Sequence, residues 1–264
     1  MAQIHPTSIV DEAAKLADSV VVGPFCTIGP NVEIDEGTTL QSHIVVTGHT
    51  QIGKNNKIYA FAALGIDPQD KKYAGEPTKL KVGDRNVIRE HCTLSTGTIQ
   101  DNSITIVGSD NLLMANVHIA HDCVIGNGTI IANNVGLAGH VHVDDDAILG
   151  GQTGVHQFVR IGKGAMLSGG SMVRQDCMAF CMYQGYPAAP FGCNFEGMKR
   201  HGYGRAAMHA AREVYKFTFR EGNTVAQALE LIDQYIGGLQ DEQAIAVAKI
   251  MRESLASSAR GLAR

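Results

Sequence analysis

Residues 119–143 read Ile119-Ala120-His121-Asp122-Cys123-Val124-Ile125-Gly126-Asn127-Gly128-Thr129-Ile130-Ile131-Ala132-Asn133-Asn134-Val135-Gly136-Leu137-Ala138-Gly139-His140-Val141-His142-Val143. An aliphatic residue falls at 119, 125, 131, 137 and 143, every sixth position. The residue four places after each aliphatic is Cys123, Thr129, Val135, Val141 and Ala147, all small or β-branched. An amphipathic helix needs a period near 3.6 and a half-buried strand a period of 2, so a strict six fits neither. It fits a parallel β-helix, in which each hexad supplies a short strand and a corner, and stacked coils bury one column of aliphatic side chains.

The same phase extends outward in both directions. Toward the N-terminus it runs through Ile4, Val10, Leu16, Val22, Ile28, Ile34, Leu40, Val46, Ile52, Ile58 and Leu64, and returns at Val82, Ile88 and Leu94. It slips by one residue before Val107 and Leu113, then continues to Leu149, Val155, Ile161, Leu167 and Val173. In the segment 65–81, Asp70 and Glu76 occupy aliphatic slots, which predicts a loop leaving the coil; the slip predicts a second loop at about 95–106. Loops on a rigid scaffold are where function concentrates. After Val173 the repeat stops. A connector containing Gly185-Tyr186-Pro187-Ala188-Ala189-Pro190 follows, and a helical period predicts helices over 205–220, 224–237 and 241–258, with Thr224 and Asp241 as N-caps. The expected organisation is a β-helix over 1–190 and a small α-helical domain over 191–264.

The composition agrees with a narrow aliphatic core: 264 residues hold 30 glycines and no tryptophan. A formal net charge of -4 argues against a dedicated nucleic-acid binder. No basic-then-apolar leader and no run long enough to span a bilayer is seen, so a cytoplasmic location without stable membrane insertion is expected. The six cysteines, at 26, 92, 123, 177, 181 and 193, form no CxxC pair and no zinc spacing, and read as reduced, mostly buried thiols.

If three hexads make one coil, residues 18 apart lie about 4.8 Å apart on neighbouring coils. His121 then stacks under Gly139 and Gln157, while His140 lies over Asp122 beside them, with His156 next to Gln157. An imidazole is suited to general-base work near neutral pH. An adjacent carboxylate fixes its tautomer, and a glycine one coil away lets a backbone N–H approach a developing oxyanion. That set suits acyl transfer to a hydroxyl. Surface histidines on a corner, or a metal site as in the γ-class carbonic anhydrases, are the other readings; the latter needs ligand histidines separated by four residues, whereas His118 and His121 are separated by two.

The hexads, the loop Gln69-Asp70-Lys71-Lys72-Tyr73-Ala74-Gly75-Glu76-Pro77, the stretch His118-Ile119-Ala120-His121-Asp122-Cys123, the run Val155-His156-Gln157-Phe158 and the segment Asn194-Phe195-Glu196-Gly197-Met198-Lys199-Arg200 together resemble the UDP-N-acetylglucosamine O-acyltransferase family, over essentially the whole chain. The resemblance implies a left-handed coil, against the usual right-handed crossover rule. It also implies a homotrimer with sites between subunits, and transfer of an (R)-3-hydroxyacyl chain from acyl carrier protein to the 3-hydroxyl of UDP-N-acetylglucosamine, the first step of lipid A synthesis. His121 would be the base, Asp122 its orienting partner and Gly139 the oxyanion donor. Gln69, Asp70, Lys72, His118, His140, His156 and Gln157 would hold sugar and acyl groups, and Asn194, Glu196 and Arg200 the uridine diphosphate. No metal or cofactor is implied.

Each assignment has a plainer alternative. Asp70 and Lys72 would form an exposed ion pair of small energetic weight, and Asn194 and Glu196 would serve only to cap the connector. Lys199, Arg200, Arg205, Arg212, Lys216 and Arg220 make a basic face suited to an acidic carrier protein, or an ordinary solvated one. Two positions depart from the family pattern: His201 stands where a second arginine often follows, and Thr96 where an arginine often precedes Gly97. Gly169 and Gly170, two to three coils beyond His121, would leave an acyl groove open for a longer chain, near fourteen carbons by analogy. The remaining rivals are another hexapeptide-repeat acyltransferase, such as an acetyl-CoA-dependent one or the N-acyltransferase of the same pathway (which carries an extra domain before its repeats), and a carbonic-anhydrase-like metal protein.

Overall fold

The computed structural model describes residues 1–264. Short parallel strands, most of two residues, end on the hexad aliphatics: Gln3–Ile4, Ile9–Val10, Lys15–Leu16 and onward to Met172–Val173. The strands form three sheets, of 11, 9 and 8 strands, in which every third strand is a neighbour. The molecule is a left-handed parallel β-helix, three-sided by this strand order, carrying a C-terminal helical region. Pairing runs at 18 residues through the regular coils, as in Gln3 with Val21 and Gly136 with Gly154. The two predicted irregular places lengthen single coils: Lys57 pairs with Val87, 30 residues on, and Val87 with Leu112, 25 residues on. The first insertion runs between the strands Ala63–Ile66 and Lys79–Val82, and the second between Thr93–Ser95 and Ile104–Val107.

Each hexad places its aliphatic and its small residue inward. From Val20 onward nearly all are buried, in one cluster of 58 residues that runs the length of the coil and into the helices. The first coil has no neighbour beneath it, and Ile4 is 45% exposed. Three successive coils fill the inward small-residue slot with asparagine. Asn56 Oδ1 accepts from the backbone and side-chain nitrogens of Asn86, Asn86 Oδ1 accepts from Asn111 N, and Asn111 Oδ1 accepts from the backbone N and hydroxyl of Thr129. Their amide groups also donate to the carbonyls of Gly83, Gly108 and Gly126, so each buried polar side chain is satisfied. All six cysteines are free and buried; burial pushes the Cys92 thiol up to about 11 and the Cys123 thiol to about 12, which leaves both unreactive.

The segment after the repeat differs from the expected connector. Cys181–Gln184 and Ala189–Cys193 pair as an antiparallel hairpin at the edge of the first sheet, with residue 190 inside the second strand. Tyr183, fully buried, holds this corner by accepting from Met178 N on its phenol oxygen. Four helices follow: α1 (Phe195–Arg200), α2 (Arg205–Phe219), α3 (Val225–Gly238) and α4 (Glu242–Ala256). Thr224 and Asp241 cap α3 and α4, the first with a full capping box. The one-turn helix α1 is not legible from the hexad pattern; six residues are too few to show a helical period. No helix is long and apolar enough to cross a membrane.

Candidate active site

The coil turns one of its corners through residues in the left-handed region, and on successive coils these are Asp122 (φ 58°), His140 (φ 63°) and Phe158 (φ 66°). Such a conformation costs a side-chain-bearing residue about 1 kcal/mol or more, so the edge is held by its neighbours. His121 precedes the first of these. Its Nδ1 lies 2.9 Å from Asp122 Oδ2. An ionised carboxylate only accepts, so Nδ1 carries the hydrogen and neutral His121 presents a lone pair at Nε2. Asp122 is buried and saturated: it accepts from Thr98 N at 2.9 and 3.0 Å and from Thr98 Oγ1 at 2.6 Å. Its own backbone N–H donates to Thr105 Oγ1. The imidazole of His121 occupies the space above Gly139 where any side chain would begin. The Gly139 N–H donates to no carbonyl of the chain.

His140 stands beside this pair. Its Nδ1 meets Asp101 Oδ2 at 2.7 Å, its ring stacks on Phe158 with centroids 4.3 Å apart, and it meets the His121 ring edge-on at 5.0 Å. His121, Asp122 and His140 bring three metal-capable atoms within 4.8 Å of one another. The Asp122 oxygens already accept from Thr98 and His121, and each imidazole Nδ1 is taken by a carboxylate.

On the adjoining face the outward side chains are His118, Gly136, Gly154 and Met172, one per coil. The two glycines hollow the face into an open groove of about 450 Å³, lined also by His118, His156, Met172 and Tyr186. Met172 lies across Gly154, since a Cβ there would meet its sulfur at 2.7 Å. His118 Nδ1 pairs with Thr93 Oγ1 at 2.7 Å; burial, reinforced by the neighbouring His121, holds its imidazole below the ordinary value. His156 Nδ1 donates to the carbonyl of Gln157. Gly169 is outside this groove; a Cβ there would meet Gly151 O at 3.2 Å.

The other candidate residues lie elsewhere on the chain. Gln69 and Lys72 are exposed in the first insertion, and Asp70 accepts from Lys72 N in a local turn rather than pairing with the lysine ammonium. Thr96, buried, accepts from or donates to Thr78 at 2.9 Å at the foot of that insertion. Asn194 is buried; its Oδ1 caps α1 through Gly197 N and its amide donates to Gly164 O, so both ends are committed. Glu196 and Arg200 form an exposed i,i+4 pair. Arg200, His201, Asn194 and Asp146 line a separate cleft, where His201 Nδ1 is 3.7 Å from Asp146.

Within one chain the structure thus joins His121, Asp122, Gly139 and His140, sets His118 and His156 along the neighbouring groove, and leaves the insertion and the α1 cleft apart. Thr98, Asp101, Phe158, Met172 and Tyr186 belong to this surface too. For Thr98 and Asp101 the one-residue slip at 95–106 was the available signal.

The family model described as UDP N-acetylglucosamine O-acyltransferase, domain 2, matches residues 176–263, and the six-repeat bacterial transferase hexapeptide model matches residues 104–139. The solved structure of LpxA from Acinetobacter baumannii is 48% identical, with 99% of each chain covered and a TM-score of 0.94. That of UDP-N-acetylglucosamine O-acyltransferase from Moraxella catarrhalis is 46% identical, again with 99% of both chains covered, at a TM-score of 0.94.

The chain belongs to the UDP-N-acetylglucosamine O-acyltransferase family. The Francisella novicida UDP-N-acetylglucosamine acyltransferase, 40% identical with a TM-score of 0.95, covers 99% of this chain and 94% of its own. Membership of this family extends over both the coil and the helices, so the histidine edge and the α1 cleft are parts of one family scaffold.

Proposed function

We propose that this protein transfers an (R)-3-hydroxyacyl chain from acyl carrier protein to the 3-hydroxyl of UDP-N-acetylglucosamine, the first step of lipid A biosynthesis, in the cytoplasm. The observation that carries the reading is the His121–Asp122 pair set against Gly139 on a scaffold of this family. His121 Nε2 takes the proton of the sugar 3-hydroxyl as its oxygen attacks the thioester carbonyl. The tetrahedral oxyanion accepts from the free Gly139 N–H. Collapse breaks the carbon–sulfur bond, and the proton held by His121 passes to the departing thiolate of the carrier. Asp122 holds the base in the right tautomer and stabilises the imidazolium that forms.

The groove of Gly136 and Gly154 suits an apolar chain, and Gln69, Asp70, Lys72, His118, His140, His156 and Gln157 are assigned to the sugar and acyl groups. Glu196 and Arg200 are assigned to the uridine diphosphate, with Asn194 acting by fixing the start of α1. These groups lie apart on one chain, which favours a homotrimer whose sites are completed between copies. Light scattering would read about three times 28.2 kDa. On the basic face, Arg200 and Lys216 have acidic neighbours, and Arg212 and Arg220 lie over aromatic rings; Lys199 and Arg205 have no such partner and are assigned to steering the acidic carrier.

The test is acyl transfer to UDP-N-acetylglucosamine from 3-hydroxyacyl carrier proteins of several lengths, wild type against His121→Ala. One preferred length, with the rate lost about 10²- to 10⁴-fold in the variant, is expected for a general base. No transfer from any carrier, with thiol release from acetyl-CoA instead, would move the protein to the acetyltransferases.

A further inference from the structure

The second insertion of the coil, between Ser95 and Ile104, bears on both histidines of the edge, on His140 directly and on His121 through Asp122. Thr98 donates two hydrogen bonds from its N–H and hydroxyl to Asp122, the partner of His121. Three residues on, Asp101 accepts from His140 Nδ1 at 2.7 Å, a contact across 39 residues of sequence. The loop that spans them is closed on itself, with the N–H groups of Asp101 and Ser103 both donating to Thr98 O. We propose that Asp101 is a positioning residue for the reaction, acting through His140. The proposal rests on the hydroxyl acyl-transfer reading above and names a residue which that reading does not assign.

The chemistry follows from the two partners. Asp101 accepts only, so His140 Nδ1 carries the hydrogen and Nε2 is the free nitrogen. Nε2 has no hydrogen-bond partner in the chain, and it is not among the sealed, unsatisfied polar atoms, of which Ser95 Oγ is the single case. Three contacts then fix the ring: the carboxylate at Nδ1, Phe158 stacked on one face, and the His121 ring edge-on. Without Asp101, rotation about χ2 would exchange each ring nitrogen with a ring carbon, and either tautomer would be open. With it, the site offers two imidazoles side by side, each held at Nδ1 by a carboxylate and each free at Nε2. His121 acts on the hydroxyl proton, and His140 meets a polar group of the sugar. Asp101 is one-third exposed and distant from the core column, so its truncation leaves the coil intact.

The experiment compares wild type, Asp101→Ala, Asp101→Asn, His140→Ala and the double variant Asp101→Ala/His140→Ala, each checked for its melting temperature. In Asp101→Ala, KM for UDP-N-acetylglucosamine is expected to rise about tenfold, the loss of one orienting hydrogen bond, with kcat changed far less. Asn still accepts from Nδ1–H, so Asp101→Asn recovers most of that loss. In the His140→Ala background, removal of Asp101 adds nothing, because both changes disable the same group. Nitrogen-15 NMR of the free protein should show His140 as the Nδ1–H tautomer in wild type and a tautomer mixture in Asp101→Ala, a readout that stands whether or not the transfer assay succeeds. An additive loss in the double variant, or an unchanged tautomer in Asp101→Ala, would overturn the proposal.

Discussion

The imidazole of His121 fills the volume a side chain on Gly139 would need: a Cβ there would lie 2.6 Å from His121 Nε2 and closer still to Cε1. The glycine is required by the histidine rather than by backbone freedom, since its φ is not in the left-handed region. Gly139→Ala must push the ring off its place beside Asp122. The expected outcome is a fall in kcat of about 10²- to 10³-fold, the scale of losing a preorganised site, with a melting curve close to wild type. An alanine variant of normal rate would show that His121 is not held in its active position here.

Asp122 accepts from Thr98 N, Thr98 Oγ1 and His121 Nδ1 while buried. Asp122→Asn turns one of the accepting atoms into a donor facing donors. Transfer should fall by about 10²- to 10⁴-fold, and stability by roughly 2 kcal/mol from broken hydrogen bonds. Chemical denaturation and initial rates on the same preparation separate the two effects.

Burial holds His118 and His142 below the ordinary imidazole value. At neutral pH both are uncharged in the folded chain and mostly uncharged in the unfolded one. As pH falls through about 6.5 the unfolded chain takes up protons that the folded one refuses, so folding stability declines. Asp144, pushed up by its own burial, works in the opposite sense at lower pH, because the folded state takes up its proton first. His142→Gln removes one refusing group and leaves Asp144 in place. Its melting temperature should fall less than that of wild type between pH 7 and 5.5; parallel curves would remove His142 as a source.

The asparagine column makes a fourth prediction. Asn86→Ala leaves Asn111 N and Gly108 O without partners inside the coil, and Asn56 Oδ1 with only the backbone N–H of residue 86. A cost of roughly 3 kcal/mol is expected, seen as a melting temperature lower by about 10 °C. Asn86→Asp keeps the acceptor for Asn111 N, and where its carboxyl is protonated the O–H replaces one of the two amide donor bonds, so its melting temperature should fall by a smaller amount there.

The coil was legible because its code is local and repeated. One aliphatic per six residues marks the end of nearly every strand, and the interruptions at Asp70 and before Val107 fall where the pairing lengthens from 18 residues to 30 and 25. The helices were legible at their caps, Thr224 and Asp241, for the same local reason. The hairpin of Cys181–Gln184 with Ala189–Cys193 was not, because its strands are specified by the edge they join rather than by a pattern of their own.

The site divides along the same line. A period of 18 was enough to place His121 under Gly139 and His140 over Asp122, since stacking on a solenoid turns sequence distance into height. It said nothing of Thr98 and Asp101, whose partners are 24 and 39 residues away, or of Met172 lying across Gly154. Nor did it separate a capping Asn194 from a ligand-facing one. By itself the sequence determined the scaffold and the positions its period carries. Where a loop closes back on the coil, and which rotamer crosses a groove, only the tertiary structure decided, because those contacts are chosen by shape and hydrogen-bond geometry between segments that share no repeat.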